Sequence, residues 1–120
     1  MARILIAEDE PDLRSLVARA LALDGHEVVT TADGAEALGH LGPGHGFDLL
    51  LTDIQMPVMD GIALALAAAR DHPGLTILLM TGYAHQRERA SGLDALIRDV
   101  IAKPMALNEL RGRVNAALAA

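Results

Sequence analysis

The sequence predicts an α/β fold, a doubly wound parallel sheet with helices on both faces, and three observations predict it. Short apolar runs recur from end to end, and most are continuous rather than alternating, as in strands buried on both faces. Between them lie segments with apolar residues at three- and four-residue spacing, the mark of amphipathic helices. No repeat, low-complexity run or linker interrupts this alternation. The 120 residues therefore read as one domain over 1–120. Five strand-helix units of this kind imply right-handed crossovers.

The elements follow in order. Ile4 to Ala7 is the first buried strand, and because the N-terminus enters it almost at once no signal peptide is expected. Pro11 suits the first turn of a helix presenting Leu13, Leu16, Val17, Ala20 and Leu21 and ending near Gly25. Glu27 to Thr31 alternates and suits an edge strand. A short helix from Ala35 to Leu41 stops at Gly42-Pro43-Gly44. Leu49 to Leu51 is the next buried strand. Ala63 to Arg70 is a helix closed by His72-Pro73-Gly74, and Ile77 to Met80 a further strand. Residues 86 to 96 form a poorer helix, interrupted by Ser91-Gly92. Val100 to Ala102 is the last strand, and Leu107 to Leu118 the last helix, starting at Asn108 or the turn before it.

Composition excludes several classes of function. There is no cysteine, hence no disulfide framework or thiolate metal site, and a reducing, cytoplasmic setting is expected. No stretch reaches the roughly 18 to 20 apolar residues that cross a bilayer, so no membrane partner is expected. Ten basic and sixteen acidic residues give a net charge of −6, and there is one Phe, one Tyr and no Trp. Neither a phosphate-gripping nor a base-stacking surface is expected, hence no nucleic-acid partner. Nine of the ten basic residues are arginine; Lys103 is the only lysine.

In doubly wound sheets ligands sit at the carboxyl ends of the strands. Reading those ends gives Glu8 and Asp9 after the first strand, Asp53 closing the third, Thr81 after the fourth and Lys103 after the fifth. Taken singly, each has a bland reading: Glu8 to Asp12 as a helix cap, Asp53 as a turn residue, Thr81 as a loop hydroxyl, Lys103 as a solvated cation. Taken together they converge. Two carboxylates about 4 Å apart repel by about 4 kcal/mol at an effective dielectric near 20, so the cluster calls for a cation. Hard carboxylate ligands suit Mg²⁺, the expected cofactor. Lys103 adds a movable point charge. Asp53 can then act as a nucleophile forming an acyl phosphate, with Lys103 stabilising charge and the Thr81 hydroxyl donating to a phosphoryl oxygen.

These segments resemble the receiver domains of bacterial response regulators, the chemotaxis-regulator fold, over the whole chain. The motifs that carry the resemblance are Ile4-Leu5-Ile6-Ala7-Glu8-Asp9-Glu10, Leu51-Thr52-Asp53-Ile54-Gln55-Met56-Pro57-Val58-Met59-Asp60-Gly61, Met80-Thr81-Gly82-Tyr83-Ala84 and Ala102-Lys103-Pro104. The resemblance implies a flavodoxin-like five-stranded parallel sheet in the order 2-1-3-4-5, with five helices. It implies Asp53 as phosphoacceptor, Asp9 as direct metal ligand, Glu8 as a ligand through water and the Gln55 carbonyl as a further ligand. Thr81 and Lys103 take the switch and phosphate-contact roles. It also implies a cis Lys103-Pro104 bond, against a prior of about 5 to 6% for X-Pro bonds, and a crowded backbone that Gly61 relieves.

One position departs from the pattern. Where many members carry an aromatic switch residue, three before the lysine, this chain has Val100. Tyr83 either substitutes for it or covers the site mouth, and with Gln55 it is expected to modulate the lifetime of the phosphorylated state. Narrower likenesses are to stand-alone alphaproteobacterial receivers that control ClpXP proteolysis and to C-terminal receivers of hybrid histidine kinases. The Leu118-Ala119-Ala120 end reads either as a degradation tag or as a helix running out in alanine.

The resulting expectation is a two-component signalling switch, not an enzyme beyond its own phosphorylation and dephosphorylation. It would be phosphorylated by a histidine kinase or phosphotransfer protein and would act as a monomer or weak dimer. A protein output partner would dock through residues 86–118. No DNA-binding or catalytic output region is expected to follow, and Met1 two residues before the first strand leads to the expectation of a stand-alone gene rather than a receiver excised from a hybrid kinase. An aspartyl phosphatase would carry a second acid two residues after the nucleophile, where Gln55 stands.

Overall fold

The computed structural model describes residues 1–82 and 89–120. Five strands, β1 (Arg3–Ala7), β2 (Glu27–Thr31), β3 (Leu49–Asp53), β4 (Thr76–Thr81) and β5 (Asp99–Ala102), form one parallel sheet in the order β2-β1-β3-β4-β5. Register is set by pairs such as Ile6 with Leu51, Leu51 with Leu78 and Met80 with Ile101. The helices are α1 (Pro11–Ala22), α2 (Gly34–Gly39), α3 (Gly61–Asp71) and α4 (Leu107–Ala119).

Strand alternation divides the apolar residues between two cores. Leu5, Leu50, Ile77 and Leu79 face Ala37 of α2 and Leu64, Ala65 and Ala68 of α3. Ile4, Ile6, Leu49, Leu51, Leu78, Met80 and Ile101 face Val17 and Leu21 of α1 and Leu110 and Val114 of α4. Each large apolar side chain so buried contributes about 1.5 to 3 kcal/mol. Burial on both faces is what makes these runs continuous in sequence. β2 lies at an edge, as its alternation predicts.

Helix starts follow local chemistry. Glu10 caps α1 by accepting from the Asp12 and Leu13 amides, with Pro11 in the first turn. Asp33 caps α2 through the Glu36 amide, and Asp60 caps α3 through the Ala63 amide. At its far end the molecule is tied by ion pairs from α4: Arg111 to Asp24 at 2.5 Å and Arg113 to Asp99 at 2.5 Å.

Five helices were expected, and the described residues contain four α-helices. Within the expected helix at 86 to 96, Arg89 and Ala90 are helical, and Ser91–Leu93 tighten into a 3-10 turn. Gly92 explains this, since glycine costs a helix interior about 1 kcal/mol relative to alanine. Residues 86–88 lie outside the described residues. Several elements exceed their apolar runs: β3 continues through Thr52 and Asp53, whose backbones still pair with Leu79 and Met80. The first helical residue of α3 is Gly61, two before the expected Ala63. Among the described residues no helix is long and apolar enough to cross a membrane.

Candidate functional site

The parallel sheet delivers the predicted residues to one place. Glu8 and Asp9 leave β1, Asp53 ends β3, Thr81 ends β4 and Lys103 follows β5. Carboxylate oxygens of Glu8, Asp9 and Asp53 lie within 4.8 Å of one another. Lys103 Nζ donates to Glu8 Oε1 at 2.8 Å and lies 3.0 Å from Asp53 Oδ2. Its backbone amide donates to the Thr81 carbonyl at 2.7 Å, so β4 and the residue after β5 are held together there.

Burial differs sharply across the cluster. Glu8 is fully buried, Asp53 and Thr81 nearly so, and Asp9 is exposed at the mouth. Burial raises the pKa of Glu8 above the ordinary carboxylate range, and the hydrogen bonds from Lys103 and the Glu10 amide offset this only in part. Asp53 is likewise raised by burial, against the opposing pull of Lys103 and of the Ile54 amide, which donates to Oδ1 at 3.0 Å. For Lys103 burial acts downward, and its two carboxylate partners outweigh it to hold the pKa above the usual value.

One ammonium thus serves three carboxylates, and its contacts are with the two inner ones. Among the described residues Asp9 has no hydrogen bond or ion pair. The outer side of the cluster could hold a hard divalent cation on oxygen ligands, and Glu8, Asp9 and Asp53 fit such an ion. Gln55 follows two residues after Asp53 and is exposed. Tyr83 lies outside the described residues.

The loop after Asp53 is tightly folded onto it. The Gly61 amide donates to the Ile54 carbonyl at 2.7 Å, and a Cβ at Gly61 would fall 2.0 Å from the Asp53 carbonyl oxygen. The expected crowding at Gly61 is therefore present, and only glycine fits. The Lys103-Pro104 bond is cis, as the resemblance implies.

Three contributors escaped the sequence reading. Asp60 both caps α3 and pairs with Arg89 at 2.6 Å, linking the loop after Asp53 to the segment after β4. An aspartate ahead of an apolar helix was the available signal for the cap. The Thr52 hydroxyl donates to the Asp53 carbonyl at 2.9 Å. Arg14 Nη1 donates to the Glu8 carbonyl at 2.9 Å. Nothing in sequence spacing announces the last two.

Comparison with known proteins agrees with this geometry. Residues 4–115 match the response regulator receiver domain family. The transcriptional regulatory protein TcrA of Mycobacterium tuberculosis is 36% identical over 114 residues, 95% of this chain and 45% of that protein. The chain spans about half the length of the curated relatives it matches. A CheY-like receiver domain protein from Methanospirillum hungatei superimposes with a TM-score of 0.90 at 29% identity, covering 99% of this chain and 94% of the other. The response regulator TrrA of Thermotoga maritima, solved in complex with Mg²⁺-BeF, gives 0.87 at 32% identity, with 98% and 99% covered. The relatives named as transcriptional regulators lend no support to the expected absence of a nucleic-acid partner. With the motifs, the sheet order and the acidic cluster in agreement, the chain belongs to the response regulator receiver domain family of two-component systems.

Proposed function

We propose that the chain is a switch that accepts a phosphoryl group on Asp53 from a histidine kinase or histidine phosphotransfer protein. The observation that carries this is the position of Asp53: its Oδ2 is 3.0 Å from the only lysine, inside a cluster with Glu8 and Asp9, at the carboxyl end of a central strand. An Asp53 carboxylate oxygen attacks the phosphorus of a phosphohistidine. The new O–P bond forms as the N–P bond breaks, and the imidazole leaves with the electron pair. Lys103 Nζ, already beside Asp53, stabilises the charge on the transferring group, and Thr81 donates its hydroxyl to a phosphoryl oxygen. Mg²⁺, held by Glu8, Asp9, Asp53 and the Gln55 carbonyl, supplies further charge neutralisation when bound. The Mg²⁺-BeF complex of the similar Thermotoga regulator supports this reading. Gln55 and Tyr83 tune the lifetime of the acyl phosphate.

Incubation with acetyl phosphate and Mg²⁺ tests the proposal. Intact-mass measurement should show one phosphoryl adduct, absent from Asp53→Asn and absent in EDTA. Equal labelling of the Asn variant would remove Asp53 from the role.

Output is proposed through a protein partner docking on the face of residues 86–118. The relatives' names favour a second reading, in which this receiver governs transcription within a longer regulator. An immunoblot of source cells separates the two: a species of 12.6 kDa supports the stand-alone switch, and a heavier one the longer regulator.

A further inference from the structure

Asp9, the exposed member of the cluster, has no hydrogen bond or ion pair among the described residues that would hold its side chain. Its neighbours are held firmly. The Glu8 carboxylate is pinned by Lys103 at 2.8 Å and by the Glu10 amide at 3.1 Å, and the Glu8 amide donates to the Thr31 carbonyl at 3.1 Å. Glu10 is locked as the cap of α1. What aims the Asp9 carboxylate is therefore the peptide plane that joins it to Glu8. The carbonyl of that plane accepts from Arg14 Nη1 at 2.9 Å. Arg14 is half-buried in the second turn of α1, where its own amide donates to the Glu10 carbonyl at 2.9 Å.

We propose that Arg14 is a positioning residue for metal binding: by holding the Glu8 carbonyl it sets the peptide between Glu8 and Asp9 and so aims the Asp9 carboxylate. This rests on the reading of the cluster as a Mg²⁺ site. Charge alone makes the opposite statement, because a guanidinium beside the cluster repels a dication, and its removal would then tighten binding. Positioning and charge therefore predict opposite signs. Metal selectivity gives a third handle. Mg²⁺ demands near-ideal octahedral ligation, whereas Ca²⁺ tolerates irregular ligand sets, so a misaimed Asp9 penalises Mg²⁺ far more than Ca²⁺.

Isothermal titration of unphosphorylated protein with Mg²⁺ and separately with Ca²⁺, for wild type, Arg14→Met and Arg14→Lys, tests this, beside melting of each protein in EDTA. Met keeps the aliphatic stem and loses charge and donor; Lys keeps the charge and one donor nitrogen, which suffices because the contact uses one nitrogen. Arg14→Met should weaken Mg²⁺ about tenfold, the loss of one charge-assisted hydrogen bond, and Ca²⁺ by at most about twofold. Arg14→Lys should stay within about threefold of wild type for both ions. Metal-free melting should be unchanged in Arg14→Lys and lowered by a few degrees at most in Arg14→Met, which loses one hydrogen bond. Unaltered or tighter Mg²⁺ binding in Arg14→Met, or equal weakening of Mg²⁺ and Ca²⁺, overturns the proposal. Should the Met variant fail to fold, Arg14→Leu, which also lacks charge and donor, carries the same comparison. A wild-type protein that does not titrate with Mg²⁺ overturns the metal-site reading itself, and a wild type that does, beside an indifferent Arg14→Met, overturns only the role of Arg14.

Discussion

Lys103 Nζ lies 2.8 Å from Oε1 of Glu8, a side chain with no solvent exposure, and this is a closer contact than the one it makes with Asp53. The lysine is therefore a structural counter-ion as well as the proposed phosphate contact. Replacing it with methionine leaves two buried carboxylates uncompensated. Breaking a fully buried pair costs about 3 to 5 kcal/mol, and since Lys103 retains some solvent contact we expect about 2 kcal/mol for Lys103→Met. Urea unfolding in EDTA measures this, and added Mg²⁺ should recover part of the loss. An unshifted midpoint in EDTA would deny Lys103 the counter-ion role. Lys103→Arg should fold but respond poorly to phosphorylation, because a planar fork replaces a point charge.

Glu8 and Asp9 differ in what already occupies them. Glu8 is taken up by Lys103 and the Glu10 amide, while Asp9 is exposed. Asp9→Asn is expected to weaken Mg²⁺ binding about tenfold or more, and Glu8→Gln less. Titration calorimetry of the two variants provides the check, and the reverse order would exchange their roles.

Val58, in the loop after Asp53, has φ of +69° and is 84% exposed. A β-branched residue is strained there, and it has little packing to lose. Val58→Asn or Val58→Gly should stabilise the protein by about 1 kcal/mol, read as a higher melting temperature. A lower melting temperature for both would mean that the valine makes compensating contacts.

Asp24 is held at a pKa of about 2, first by its hydrogen bond from Arg111, with Asn115 also donating. The folded value lies below the unfolded value of about 4, so the stabilisation is fully present above that pH and is lost as pH falls toward 2. Urea midpoints of wild type and Asp24→Asn should differ at pH 6 and converge as pH falls below about 3. A gap that stays constant with pH would show that the ion pair contributes nothing titratable.

The residues of the site could be named before any coordinates because chemistry in a parallel sheet lies at strand ends, and the apolar runs mark those ends. Asp53, Thr81 and Lys103 each sit at the edge of such a run. Element edges were less legible. Thr52 and Asp53 interrupt the apolar pattern yet remain in β3, because the hydrogen-bond ladder with β4 continues irrespective of side chain. At 86 to 96 weak periodicity suggested a helix where Ser91–Leu93 form a tighter turn.

The sequence by itself determined the alternation of strands and helices, the two-sided burial of the strands and the identity of the acidic and cationic groups, because periodicity and residue chemistry are local properties. Tertiary structure alone decided which groups meet. Lys103 reaches Glu8 across 95 positions of sequence, Arg111 reaches Asp24 across 87, and Arg89 reaches Asp60 across 29. Those pairings depend on the packing of α1 and α4 against one face of the sheet and on the fold of the loop after Asp53 beside the segment that follows β4. No spacing in the chain encodes such distances, since they arise only when separate elements bury their apolar faces against a common core.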